Sequence, residues 1–77
     1  MPHVTIKMHP GRTEEQKTRL AEAIAKNVVE IAKCPATAVS VAIEEVQPPD
    51  WPEKVYRPEI LEKSETLYLK PGYNPFQ

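Results

Sequence analysis

The 77-residue chain is long enough for one small domain, and a domain of this size buries only about 60% of its unfolded surface. Ten basic and eleven acidic residues give a net charge of -1, which excludes the broad positive field that nucleic-acid binding requires. Cys34 is the only cysteine, and no paired metal-ligand spacing is present. Because neither a disulfide within the chain nor a metal can stabilise the domain, oligomerisation is expected.

Apolar runs in the sequence are all far shorter than the roughly 20 residues that cross a bilayer. The N-terminal segment has none of the apolar core that a signal peptide contains. We therefore expect a cytoplasmic protein with no membrane or nucleic-acid partner. The whole chain, residues 1–77, is predicted to form a single domain.

The first predicted element is a strand over residues 3–8, in which polar and apolar side chains alternate. One face carries Val4, Ile6 and Met8, and the other carries His3, Thr5 and Lys7. Pro10 and Gly11 end the strand, because proline lacks an amide donor and glycine tolerates unusual dihedrals. The turn that follows carries one cation, Arg12.

A long helix is predicted next. Thr13 and Gln16 have the spacing of a capping box, in which each side chain accepts a hydrogen bond from the other residue's backbone amide. Apolar and small residues then recur at three- and four-residue spacing on one face of the helix. These residues are Leu20, Ala23, Ile24, Asn27, Val28, Ile31 and Ala32. Pro35 predicts an end near Lys33, because the residue before a proline avoids helical dihedrals.

A second strand is predicted from Val39 to about Val46, since polar and apolar residues alternate again. A strand, a long helix and a strand form a right-handed crossover between two parallel strands. The fold class is therefore α+β with a β-α-β protomer. Such a two-stranded sheet leaves one face and both edges open, and another copy of the chain would cover them.

The C-terminal part contains many prolines, and residues 47–52 cannot continue a central strand. A short helical turn is predicted there, capped by Asp50 and with Pro52 as its first residue. A C-terminal helix is predicted over residues 58–70, where apolar positions share one face and Pro71-Gly72 follows.

Pro2 is the most informative position for function. If Met1 is removed, the mature chain begins with a secondary amine, which no internal residue can supply. Exposed α-amino groups have a pKa of about 7.7–8.0, and burial or a nearby cation lowers this value. A neutral amine can accept a proton from one substrate atom and return it to another, without a cofactor. A proline at this position can equally be an ordinary end residue.

Two further segments accompany Pro2: Gly11-Arg12-Thr13-Glu14-Glu15-Gln16-Lys17, which enters the helix, and Pro35-Ala36-Thr37-Ala38-Val39-Ser40-Val41, which leads into the second strand. Over about the first 46 residues the chain resembles the 4-oxalocrotonate tautomerase family. The remainder, with Trp51 and the late Lys70-Pro71-Gly72-Tyr73, resembles the family's slightly longer PptA type. The resemblance implies a keto-enol tautomerase with no cofactor. It also implies a dimer with a four-stranded sheet, with Pro2 as general base and acid.

The resemblance assigns roles to two more residues. Arg12 corresponds to the family's arginine that binds a substrate carboxylate, and a guanidinium can do so through two hydrogen bonds. Trp51 corresponds to an aromatic residue that lines the pocket and keeps Pro2 dry. A solvated turn arginine and a packing tryptophan are the structural alternatives. The resemblance to the PptA type implies a homodimer, because in that type a C-terminal helix occupies surface otherwise used for higher assembly. The predicted C-terminal helix agrees with this, and a hexamer is the alternative assembly.

Ser40 is the main departure from the family pattern, because the family has a second arginine there to polarise the substrate carbonyl. A serine hydroxyl can donate one hydrogen bond to an enolate oxygen, but an uncharged donor is weaker. Lys7 or His3 are candidates to supply the missing polarisation. This change favours a monoacid enol, such as that of phenylpyruvate, over a dicarboxylate dienol.

Two rival functions remain at this stage. A non-catalytic dimeric interaction module on the same scaffold would explain the loss of the second arginine. Hydration or dehalogenation would need a carboxylate to activate water, and Glu44 and Glu45 are the nearest candidates by sequence. Acidic residues at a strand end are more commonly solvated.

Overall fold

The computed structural model describes residues 1–77 and divides into two compact units, Met1–Glu45 and Val46–Gln77. The N-terminal unit contains strand β1 (His3–Met8), helix α1 (Glu14–Ala32) and strand β2 (Ser40–Glu45). A short 3-10 turn, Ala36–Ala38, precedes β2. The two strands pair in parallel. The predicted β-α-β protomer of class α+β is therefore confirmed.

The register of the sheet determines which side chains share its open face. His3 pairs with Ser40, and the pairing continues to Met8 with Glu45. Because side chains alternate between faces, His3, Thr5 and Lys7 lie on the same face as the partners that they pair with in β2. Those partners are Ser40, Ala42 and Glu44. Helix α1 packs against the other face, mainly through β2.

Helix α1 begins with the predicted capping box. The Gln16 amide donates to Thr13 Oγ1 at 3.1 Å, and the Thr13 amide donates to Gln16 Oε1 at 2.8 Å. The helix ends at Ala32, and Lys33 adopts left-handed dihedrals (φ 57°) as its C-cap. Both predicted helix ends are confirmed. This first turn positions Arg12, the residue immediately before the cap.

Thr13→Ala removes one half of the capping box, and we expect it to cost about 1 kcal/mol of stability. For a domain of this size that loss lowers the Tm by about 4–8 °C. Thermal unfolding followed by circular dichroism at fixed protein concentration measures the change. Thr18→Ala is the matched control, because Thr18 is an exposed residue inside the same helix and takes no part in the cap. Equal Tm values for the two variants would contradict a stabilising cap.

An ion-pair network ties the start of α1 to the end of β2. The Lys17 ammonium donates to Glu14 at 2.9 Å and to Glu45 at 3.4 Å. The hydrogen bond to Glu14 is the main reason why the pKa of Lys17 lies above its ordinary value. On the open face, Lys7 lies 3.8 Å from Glu44. Both carboxylates considered for water activation are therefore paired with lysines.

The C-terminal unit differs from the prediction. After a 3-10 turn (Pro48–Asp50), its helix spans Pro52–Leu61 rather than residues 58–70. It is a π-helix with Pro58 inside it, and its end is marked by the Glu62 amide donating to the Arg57 carbonyl at 2.9 Å. Pro52 is the first residue of this helix, as predicted for the short helical turn, whereas Pro58, which was predicted to start a separate helix, lies inside it. Asp50 does not cap this helix with its side chain, and pairs instead with Lys54 at 3.6 Å.

The chain beyond Leu61 does not continue as a helix. Ser64–Thr66 forms a 3-10 turn, in which the Thr66 hydroxyl donates to the Lys63 carbonyl at 2.7 Å. Serine and threonine side chains compete in this way with regular helical hydrogen bonds. Leu67 is already extended, and Tyr68 is fully exposed. The helix predicted over residues 58–70, with its apolar face, was therefore wrong beyond Leu61.

Burial is low throughout the chain. Val55 and Tyr56 are the only buried residues, and both belong to the C-terminal helix. The N-terminal unit contains no buried residue, and Ile31 on the predicted apolar stripe of α1 is 78% exposed. A sheet and helix without a buried side chain lack the core that normally stabilises a domain. No helix of the chain meets the length and hydropathy needed to span a bilayer.

Candidate active site

Pro2 immediately precedes β1 and is partly buried. Its carbonyl oxygen accepts a hydrogen bond from the Ser40 amide at 3.2 Å, so the residue before β1 is held beside the first residue of β2. Met1 precedes it, with a fully exposed side chain that packs against nothing. The structure thus brings together two of the predicted site residues, Pro2 and Ser40.

Ser40 belongs to a hydrogen-bonded cluster on the open face. Its hydroxyl lies 2.6 Å from His3 Nδ1, and the Thr5 hydroxyl lies 3.3 Å from His3 Nε2. All three side chains are exposed. A solvent-facing chain of two hydroxyls and an imidazole can donate hydrogen bonds to an oxygen of a ligand. The cluster therefore places polar donors next to Pro2.

Arg12 lies in the turn between β1 and α1. Gly11, with φ 131°, takes a conformation that side chains other than glycine rarely adopt, and so the turn requires glycine there. Arg12 is exposed, and its guanidinium makes no hydrogen bond or ion pair within the chain. A free, exposed guanidinium has all its donors available for an anionic group.

Trp51 belongs to the C-terminal unit, where it is the N-cap residue of the helix Pro52–Leu61. Its indole N–H donates to the Tyr73 hydroxyl at 2.8 Å. Tyr56 in turn donates to the Tyr73 carbonyl at 3.2 Å, and the two tyrosine rings are 5.5 Å apart between centroids. Trp51 is therefore fixed within an aromatic cluster, and its role beside Pro2 stays a prediction.

Further contacts hold the end of the chain on the same helix. Phe76 lies 5.9 Å from the Tyr56 ring, and the Arg57 guanidinium sits 4.4 Å from the Phe76 ring centroid. Arg57 also donates to both carboxylate oxygens of Glu53, which lowers the pKa of that carboxyl below its ordinary value. The tail after Gly72 is thus held by aromatic and cation–π contacts.

Two residues that contact the candidate site were not identified from the sequence, namely Thr5 and Tyr73. Thr5 is hydrogen-bonded to His3, the partner of Ser40, and Tyr73 accepts a hydrogen bond from Trp51. The strand alternation that placed His3 and Thr5 on one face was available as a signal for Thr5. Nothing in the sequence indicates that Tyr73 contacts Trp51.

Comparison with known proteins agrees with this architecture. The profile of the family described as Tautomerase enzyme matches residues 2–53. Tautomerase PptA of Enterobacter sp. (strain 638) is 43% identical over 75 residues, which cover 96% of this chain and 99% of that protein. A probable tautomerase of Xylella fastidiosa (strain 9a5c) is 38% identical over 73 residues, covering 95% of this chain and 89% of its own length.

Solved structures share the fold. A heterohexamer 4-oxalocrotonate tautomerase from Chloroflexus aurantiacus J-10-fl superposes with a TM-score of 0.65 at 33% identity, over 70% of this chain and 87% of that chain. The fold and these matches define a small isomerase with tautomerase-type activity. The chain belongs to the Tautomerase enzyme family, and the resemblance to 4-oxalocrotonate tautomerases and their PptA type is confirmed.

Proposed function

We propose that this enzyme is a keto-enol tautomerase for 2-keto or 2-hydroxydienoic acids, with Pro2 as general base and acid once Met1 has been removed. The observation that supports it best is the hydrogen bond from the Ser40 amide to the Pro2 carbonyl. This bond holds a proton-transferring terminus next to a cluster that can bind a substrate oxygen. A tautomerisation needs both groups side by side, since the proton moves between carbon or oxygen atoms of one conjugated system.

The freed Pro2 nitrogen would act as an unprotonated amine at neutral pH. Its residue is partly buried, and burial disfavours the charged form of an amine. As a neutral base it takes a proton from the substrate, and the resulting ammonium returns this proton at another atom. The same nitrogen takes up the proton and releases it again, so that no cofactor is required.

The remaining site residues bind the substrate in this proposal. Arg12 binds the carboxylate through its free guanidinium, and the Ser40 hydroxyl donates to the oxygen that becomes the ketone. For Trp51 we keep the role that the family resemblance implies, which is to exclude water and so keep the amine poorly hydrated. With one arginine in place of two, the preferred substrate is a monoacid enol, such as the enol of phenylpyruvate.

We further propose a cytoplasmic homodimer whose subunits pair their sheets into four strands, each chain forming a single tautomerase domain. Two features support this assembly: the N-terminal unit contains no buried residue, and the outer edges of β1 and β2 are open. The helix predicted over residues 58–70 favoured a dimer over a hexamer, and the structure has the helix Pro52–Leu61 in its place. A hexamer is the alternative, since the similar protein from Chloroflexus aurantiacus is described as a heterohexamer.

Titration of the Pro2 nitrogen tests this mechanism directly. In protein whose intact mass lacks Met1, a 15N-labelled Pro2 is expected to titrate below the range of about 7.7–8.0 that exposed α-amino groups show. The same resonance after unfolding in urea provides the reference, because the desolvated site no longer exists there. A terminus that stays fully charged well above neutrality in the folded protein would overturn the proposal.

A further inference from the structure

The open face of the sheet carries a chain of three hydrogen-bonding side chains, which we call the imidazole chain: Ser40, His3 and Thr5. Ser40 Oγ lies 2.6 Å from His3 Nδ1, and Thr5 Oγ1 lies 3.3 Å from His3 Nε2. The parallel register, which places His3 opposite Ser40, fixes the first of these contacts. The second follows from strand alternation, because residues two apart lie on one face.

The direction of the hydrogen bonds in this chain is coupled from one end to the other. A neutral imidazole has one nitrogen that donates and one that accepts. If Nε2 accepts a hydrogen bond from the Thr5 hydroxyl, Nδ1 carries the ring proton and donates a hydrogen bond to Ser40 Oγ. In the opposite arrangement the Ser40 hydroxyl donates its hydrogen bond to Nδ1, and Thr5 Oγ1 accepts one from Nε2.

Only the first arrangement leaves the Ser40 proton available to a ligand. Ser40 then accepts from His3 and donates outward, and a hydroxyl that accepts one hydrogen bond becomes a stronger donor of the next. The other polar pair on this face, Lys7 with Glu44 at 3.8 Å, is one of opposite charges that largely offset each other. The imidazole chain is thus the main uncharged donor system beside Pro2.

We propose that His3 is a positioning residue, held by Thr5 in the Nδ1–H tautomer so that the Ser40 hydroxyl donates to the substrate's enolate oxygen. This inference rests on the proposed function, which places the substrate oxygen at Ser40. In this proposal the Ser40 hydroxyl, oriented through His3, takes the role that an arginine has in the family pattern. No covalent step is involved, because the chain only sets the direction of existing hydrogen bonds.

Thr5→Val tests the proposal, because valine keeps the shape of threonine and removes the hydroxyl that selects the tautomer. We expect the 15N shifts of His3 to change from the Nδ1–H to the Nε2–H tautomer. We also expect kcat for the phenylpyruvate enol to fall about three- to ten-fold with KM nearly unchanged, as for the loss of one neutral hydrogen bond. Wild-type protein with an Nε2–H imidazole would overturn the proposal.

Thr66→Val is the matched control. Thr66 is likewise exposed and likewise uses its hydroxyl in one hydrogen bond, the 2.7 Å contact with the Lys63 carbonyl, but it belongs to the C-terminal unit. We expect wild-type kcat and an unchanged His3 tautomer in this variant. An equal fall of kcat in both variants would indicate a general loss of stability and would overturn the specific role of Thr5.

A second set of variants separates positioning from structure. His3→Ala is expected to lower kcat about as much as Ser40→Ala, and the double variant should be no worse than either single one. His3→Asn, which retains an amide group near the position of Nδ1, should recover part of the loss. Fully additive losses in the double variant would overturn the proposal.

The outcome for Pro2 separates this inference from the function on which it rests. If Pro2→Ala keeps full activity, the proposed mechanism fails, whatever Thr5→Val shows. If Pro2→Ala loses activity while Thr5→Val and His3→Ala retain wild-type kcat, only the role of His3 is overturned.

Discussion

Replacing Pro2 with alanine in correctly processed protein is expected to lower kcat/KM for phenylpyruvate ketonisation by about 10²-fold. Positioned acid–base groups contribute roughly 10² to 10⁴-fold to a rate. We expect the lower end, because alanine leaves a primary amine at the same place. What is lost is the pyrrolidine ring, which makes the nitrogen a secondary amine and holds it in one direction relative to Cα.

The control for this experiment is Pro75→Ala, an exposed proline in the C-terminal tail that should leave the rate unchanged. Both variants must be shown by intact mass to lack Met1, since a retained methionine turns the Pro2 nitrogen into an amide with no useful basicity. Wild-type protein that retains Met1 should accordingly show only background activity. Treatment with methionine aminopeptidase should restore it.

Two other outcomes are informative. A Pro2→Ala variant with the wild-type rate would remove Pro2 from the mechanism. If neither processed protein showed any tautomerisation, the chain would instead fit the interaction-module alternative, in which the scaffold is kept without its chemistry. The family match then describes ancestry rather than activity.

The N-terminal unit was predictable because its signals are local and mutually consistent. Alternation identifies β1, the Thr13–Gln16 spacing identifies the start of α1, and Pro35 identifies its end. Each of these signals acts within a few residues, so that no knowledge of the tertiary structure is needed. The observed bounds, His3–Met8 and Glu14–Ala32, agree with them.

The C-terminal unit was not predictable by the same means. Pro58 indicates a helix start when its neighbours are considered alone, but the structure holds it inside a π-helix. A π-helix of this kind is rare. The helix is contacted by Tyr73 and Phe76, which pack against Tyr56 although they lie at least 17 positions further along the chain. Tertiary packing of aromatic rings has no local signature.

The candidate site was likewise predictable only in part. Pro2 and Ser40 were named as candidates from the sequence, and parallel pairing of the two strands brings them together. His3 was considered only as a separate source of polarisation, whereas the structure joins it to Ser40. The contact depends on register, and a shift of one residue would have placed His3 opposite Val39 or Val41. Hydrophobic alternation fixes the face of a strand more firmly than its partner.

Ser40→Arg is expected to raise kcat/KM for a dicarboxylate dienol, because residue 40 is where the chain departs from the family pattern. A guanidinium at residue 40 would form a charge-assisted hydrogen bond to the substrate oxygen or to a second carboxylate. Charged hydrogen bonds contribute about 1.5–3 kcal/mol and neutral ones about 0.5–1.5. The difference of about 1–1.5 kcal/mol corresponds to a rise of about five- to twelve-fold in kcat/KM for a dicarboxylate dienol.

The same substitution should do little for, or reduce, turnover of the phenylpyruvate enol, which has no second carboxylate for the arginine to bind. Ser40→Lys carries the charge without the planar fork and should give a smaller gain. Ser40→Met supplies a long side chain like those of arginine and lysine but no charge, and it should give no gain. Equal gains for Met and Arg would mean that residue 40 acts by filling space, and the assignment of Ser40 to the substrate oxygen would then be wrong. A change of preference confined to the charged variants would instead place residue 40 at the substrate's polar end, as the position of Ser40 beside Pro2 leads us to expect.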